Sequence, residues 1–95
     1  MKELAEIRTE LDQVDRSLVA AFEARMNLCR QVAEYKITHG MQVLDASREE
    51  QVLASREALV RDAALRPAVR ELYQELMSLS RREQQRMVEE AEKSC

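Results

Sequence analysis

The sequence predicts an all-α chain of three helices, the first very long and suited to pairing with a second copy of itself. Three observations lead there. Ala, Leu, Glu, Arg and Gln dominate, and these residues lose little on entering a helix. One Gly, one Pro, two Tyr and one Phe are too few turn and strand formers for a sheet protein. Hydrophobic residues at 45% and charged residues at 35% give the balance of amphipathic helices, and the apolar positions recur at helical spacing.

In the first helix one series runs Leu4, Leu11, Leu18, Arg25, Val32 and a second runs Ile7, Val14, Ala21, Leu28, Tyr35. Together they form a heptad-like seam from about residue 4 to residue 36. No Gly or Pro interrupts it, and Gly40 after His39 is a natural stop. A helix over about residues 3–38 is expected, roughly 50 Å long at 1.5 Å per residue. The rest of the chain is too short to cover such a rod, and the simplest cover is the same helix of a second chain. A second helix is expected over about 47–61. Ser47 with Glu50 fits a capping box there, and Asp45 is a competing cap. It carries Val52, Leu53, Arg56, Leu59 and Val60 on one side, and the pattern weakens from Asp62 to Arg66. Pro67 suits the first turn of a third helix, expected over about 67–90. Its stripe is Val69, Leu72, Tyr73, Leu76, Met77, Ser80, Gln84 and Met87, and the charged tail from Val88 to Cys95 is expected to fray. Ninety-five residues without an internal repeat or linker make one domain with a modest core.

Composition also excludes function classes. The net charge is −3 with both signs interspersed, so no basic face for nucleic acid is expected. The opening Met1-Lys2-Glu3-Leu4-Ala5-Glu6 is charged and without an apolar core, so no secretory leader is expected, and no apolar run approaches the ~20 residues of a membrane span. Cys29 and Cys95 have neither metal-ligand spacing nor the look of a disulfide framework, and Cys29, in an apolar stripe, reads as a small core residue. A cytoplasmic setting is expected. There is no Cys/His cluster, no Ser-His-Asp set and no Gly-rich phosphate loop, so neither metal nor cofactor is expected. His39 reads as a loop residue.

Several residues do not suit a bland bundle. Arg25 occupies the seam, where a cation is costly unless an anion meets it or it reaches solvent. Lys36, eleven residues on, returns to within about 20° of the same face, ~16 Å along the helix. It suits a small anion held between the two, or merely the favourable C-terminal end of a helix dipole. Arg8 lies about 25 Å from Arg25 along the helix and cannot share a small-molecule site with it in one chain. Either it is a solvated surface residue, or it enters the pocket of a partner whose helix runs antiparallel. Ser80 and Gln84 break the third stripe at i, i+4 and, if buried, need polar partners from a ligand, water or a neighbouring helix. Arg48 and Glu49 open the second helix beside its apolar face, as ordinary first-turn charges or as ligands. Jointly these residues describe a helical cavity for a small dianion.

The chain resembles the small all-helical (AroQ-class) chorismate mutases. The resemblance is carried by Leu4-Ala5-Glu6-Ile7-Arg8 with Leu11-Asp12-Gln13-Val14-Asp15, by Arg25-Met26 with Val32-Ala33-Glu34-Tyr35-Lys36, by Val43-Leu44-Asp45 with Arg48-Glu49, and by Ser80-Arg81-Arg82-Glu83-Gln84. These motifs span roughly residues 4–84 and are specific as a set, though not singly. One departure is Gln42, where many relatives carry Pro before the Val-x-Asp run; its loss is expected to loosen the loop that holds Asp45.

The resemblance implies three helices per chain in an intertwined homodimer with two equivalent sites. It implies a cofactor-free rearrangement of chorismate to prephenate, in the shikimate pathway toward Phe and Tyr. Arg25, with Arg8 of the partner chain, would hold the substrate carboxylates, completed by Arg48 and Ser80. Lys36 and Gln84 would hydrogen-bond the ether oxygen whose bond breaks, and Lys36 would also help hold a carboxylate. Glu49 and the backbone near Asp45 would bind the ring hydroxyl, and Val32 and Met77 would form apolar walls. An isochorismate-pyruvate lyase on the same fold is the nearest rival reading, and a non-catalytic helical dimer is the rival from another class. Whether a pathway enzyme partners the chain is not legible in the residues.

Overall fold

A computed structural model describes residues 1–93. Three helices dominate: α1 Leu4–Thr38, α2 Ala46–Leu59 and α3 Arg66–Lys93, with a short 3-10 turn, Ala63–Leu65, before α3. No strand occurs among the described residues, and none of their helices is long and apolar enough to cross a membrane.

The stops and starts follow local chemistry. At the end of α1, Gly40 takes the left-handed backbone (φ 63°) that costs a glycine nothing. Its N–H donates to Ile37 O, and Met41 N–H donates to Lys36 O at 2.8 Å, the double bond of a Schellman cap. His39 stacks on Tyr35 with ring centroids 3.8 Å apart. The cap reverses the chain directly beside Lys36. Gln42 lies exposed in the following loop, which Lys36 ties back through Val43.

At the start of α2 the competing cap prevails: Asp45 Oδ1 accepts from Arg48 N–H at 3.0 Å, and Ser47 lies inside the first turn. Glu50 does not serve the expected capping box but pairs with Arg70. Asp62 caps the 3-10 turn through Ala64 N–H. The charged stretch after Met87 does not fray at once: α3 continues through Val88 to Lys93, with Arg86 reaching Glu90 one turn on. The last two residues of that expectation, 94 and 95, lie outside the described residues.

Packing is concentrated at one end. α3 lies against both α1 and α2 and holds them apart. Val52, Leu53 and Met77 form the core with Tyr73 against them, and Ala33 is the buried residue of α1. Arg70 donates to Glu57 at 2.7 Å and reaches Glu50, tying α3 to α2; the Glu57 hydrogen bond foremost raises its pKa further. Arg30 and Arg86 both face Glu83, linking α1 to α3. The hydrogen bond from Arg86 leads in holding that carboxyl below its ordinary range, against the opposing effect of burial.

Two expected core positions are open. Leu59 is 75% exposed because α3 covers only the Val52–Leu53 side of α2, and Leu72 is 50% exposed. The first half of α1 is uncovered altogether: residues 1–21 are all exposed, including Leu4, Leu11, Val14 and Leu18. The radius of gyration is 17.1 Å, against about 12 Å for a compact chain of this length.

Leu53 is buried but does not line the cleft described below, so it separates stability from site chemistry. Leu53→Ala is expected to remove about 2–4 kcal/mol of unfolding free energy, read by chemical denaturation at fixed protein concentration. An unchanged midpoint would mean that these contacts do not hold α2 to α3.

Candidate active site

Because α3 keeps α1 and α2 apart, a cleft of about 330 Å³ opens between them with α3 as its floor. α1 supplies Arg25, Leu28, Cys29, Val32 and Lys36. The loop supplies Val43 and the cap residue Asp45, and α2 adds Arg48, Glu49, Val52 and Arg56. Met77, Ser80, Arg81 and Gln84 come from α3.

The positions on each helix follow from period. Arg25, Cys29, Val32 and Lys36 recur at steps of four, three and four and so share one face of α1. On α3, Met77 lies three and four residues before Ser80 and Arg81, and these lie four and three before Gln84, so the set shares one face. On α2, Arg48 and Glu49 sit in the turn that Asp45 caps, so the cap sets where both side chains leave the backbone.

A chain of hydrogen bonds crosses the cleft. Lys36 Nζ donates to the Val43 carbonyl at 2.6 Å and to Gln84 Oε1 at 3.3 Å, and Gln84 Nε2 donates to Ser80 Oγ at 2.8 Å. Ser80 and Gln84 are each only 6% exposed, and no buried side-chain N or O lacks a partner among the described residues. The two polar breaks in the third stripe thus satisfy one another and Lys36. An ammonium has three N–H donors and an amide two, so Lys36 and Gln84 each keep one in reserve for a ligand.

The cations of the cleft are short of anions. Arg25, Lys36, Arg48 and Arg56 pair with no carboxylate among the described residues. Instead Arg25 and Arg56 lie over the ring of Tyr73, 5.7 and 6.0 Å from its centroid. Arg25 Nη1 also approaches Cys29 Sγ at 3.7 Å, and Arg48 donates to Gln51 at 2.8 Å. Arg81 alone is paired, with Glu49, Nη1 to Oε1 2.5 Å. Four cations without counter-ions around an apolar floor of Val52 and Met77 are arranged to take up a small, multiply charged anion.

Of the expected site residues, Arg25, Val32, Lys36, Asp45, Arg48, Glu49, Met77, Ser80 and Gln84 come together here. Arg8 does not: it lies on the exposed first half of α1, far from the cleft of its own chain. Cys29 is half-buried on the cleft wall rather than in the core, because its face of α1 looks onto the opening that α3 leaves. Sequence reasoning missed Arg56 and Arg81. Arg56 interrupts the apolar side of α2 as Arg25 interrupts that of α1, and this was a usable signal. Arg81 falls four residues after Met77 and three before Gln84, but beside Arg82 it reads as part of a solvated charge run.

Residues 7–85 match the sequence profile described as chorismate mutase type II. The chain belongs to that family. The T-protein of Haemophilus influenzae (strain ATCC 51907 / DSM 11121 / KW20 / Rd) is similar to it, 36% identical over 56 residues. That alignment covers 59% of this chain and 15% of the T-protein, so the chain corresponds to a small part of that relative. No solved structure matches it.

Proposed function

We propose that the chain is a chorismate mutase that rearranges chorismate to prephenate, and that it works as a homodimer in Phe and Tyr biosynthesis in the cytoplasm. The observation that carries this reading is the cleft itself: in a chain of this family, unpaired cations and the Lys36–Gln84–Ser80 donor chain meet over an apolar floor.

The reaction breaks one C–O bond and forms one C–C bond within a single molecule, with no proton transfer. Catalysis then rests on holding the folded reactive conformer and on stabilising the charge that gathers on the ether oxygen. Arg25, Arg48 and Ser80, with Arg8 of a second chain, hold the two carboxylates. The spare N–H groups of Lys36 and Gln84 meet the ether oxygen, an interaction that strengthens as the bond opens. Glu49 and the backbone near Asp45 accept the ring hydroxyl. Val32 and Met77 press on the ring.

Support for the dimer comes from the uncovered stripe Leu4, Ile7, Leu11, Val14 and Leu18, which a single chain leaves in water, and from the elongated form of the protomer. An antiparallel second α1 covers that stripe and brings its Arg8 toward the cleft.

The direct test is loss of chorismate absorbance on adding protein, with prephenate identified as phenylpyruvate after acid treatment. Salicylate and pyruvate as products would favour the lyase instead. Lys36→Ala is expected to lower turnover about 10²–10³-fold with a smaller change in KM; near-normal turnover in a folded variant counts against Lys36 as the donor. Gln84 is neutral throughout the useful pH range, so wild-type turnover should be flat around neutrality. Gln84→Glu should gain activity as the solution is made acidic and the carboxyl becomes a donor. An unchanged pH profile in that variant removes Gln84 from the ether oxygen. Finally, inactive Arg8→Ala and Lys36→Ala chains, unfolded and refolded together, should recover up to roughly one quarter of wild-type activity. Random pairing makes half the dimers mixed, each with one intact site. No recovery would place Arg8 outside the site.

A further inference from the structure

A cleft that takes up a dianion contains a carboxylate of its own. Glu49 lines it from the first turn of α2, where a bare negative charge would oppose the ligand. Its partner is Arg81 on the neighbouring α3, 32 residues on in the chain, at 2.5 Å. The contact uses Oε1 alone, and Oε2 accepts from no described group. The Arg81 guanidinium in turn donates to nothing else among the described residues. The side chains of Arg81 and Glu49 are 37% and 24% exposed, and a pair so open to water adds little to stability. The other acid on the wall, Asp45, already has one oxygen engaged in capping α2.

We propose that Arg81 is a positioning residue for substrate recognition. It pins one oxygen of Glu49 to the wall and cancels the charge that an incoming dianion would meet. The second oxygen is left to accept a hydroxyl hydrogen. The Arg81–Glu49 pair therefore reads the neutral end of the substrate while Arg25, Lys36 and Arg48 read its charged end. The ligand class it selects is a cyclic dicarboxylate bearing a free hydroxyl. This inference rests on the mutase reading and assigns within it a residue that touches Glu49 rather than the reacting atoms.

Acting through Glu49 makes Arg81 measurable as a coupling. Wild type, Arg81→Gln, Arg81→Lys, Glu49→Gln and the Arg81→Gln/Glu49→Gln double variant are compared as full chains. Steady-state kinetics use chorismate, and calorimetry uses a hydroxyl-bearing bicyclic dicarboxylate mimic of the transition state. Thermal unfolding of each variant reports folding. Arg81→Gln should lower kcat/KM about tenfold, mostly through KM, and Arg81→Lys should restore most of it. In the Glu49→Gln background the same substitution should change kcat/KM by less than about two-fold. Equal losses in both backgrounds, or no loss in either, would overturn the inference while leaving the mutase reading intact. A folded wild-type chain that neither converts chorismate nor binds the mimic would overturn the mutase reading, and this inference with it.

Discussion

The Lys36 ammonium is the joint on which the rest of the cleft depends. It comes from the last turn of α1, takes the Val43 carbonyl of the returning loop and touches Gln84 on α3. One charged group thereby ties α1, the returning loop and α3 together at the cleft. A lysine can do this because its ammonium offers several donors without a fixed plane. The Schellman cap at Gly40 supplies the other half of the constraint, turning the chain back at the point where the ammonium can reach it. Asp45 then starts α2 and sets the origin of Arg48 and Glu49.

The electrostatic design is asymmetric. Carboxylates elsewhere in the molecule tie helix to helix, as Glu57 and Glu50 do with Arg70 and Glu83 does with Arg30. Within the cleft, four cations have no such partner and two rest on the face of Tyr73. Where Glu49 brings an acid into the cleft, Arg81 answers it.

The chain also packs unevenly along its length. Its core lies where α3 meets α2 and the second half of α1, while the seam of the first half stays in water. That same bare half carries Arg8, so the residue expected to finish the site and the surface expected to bury against a partner lie on one stretch of helix.

The sequence by itself determined the helices, because their causes are local. Unbroken heptad spacing requires α1, Gly40 ends it, and Pro67 sits in the first turn of α3. It also picked out Arg25, Lys36, Ser80 and Gln84, because a polar residue on an apolar stripe is conspicuous along one helix. Tertiary structure decided the rest. Asp45 prevailed over Ser47 as cap because the loop returning from Gly40 sets the backbone there. Leu59 was left in water because α3 covers only the Val52–Leu53 side of α2. Arg81 became the partner of Glu49 because α3 packs against α2 and brings together two residues 32 apart in sequence. A periodic pattern shows which face of its own helix a residue occupies; only packing shows what that face meets.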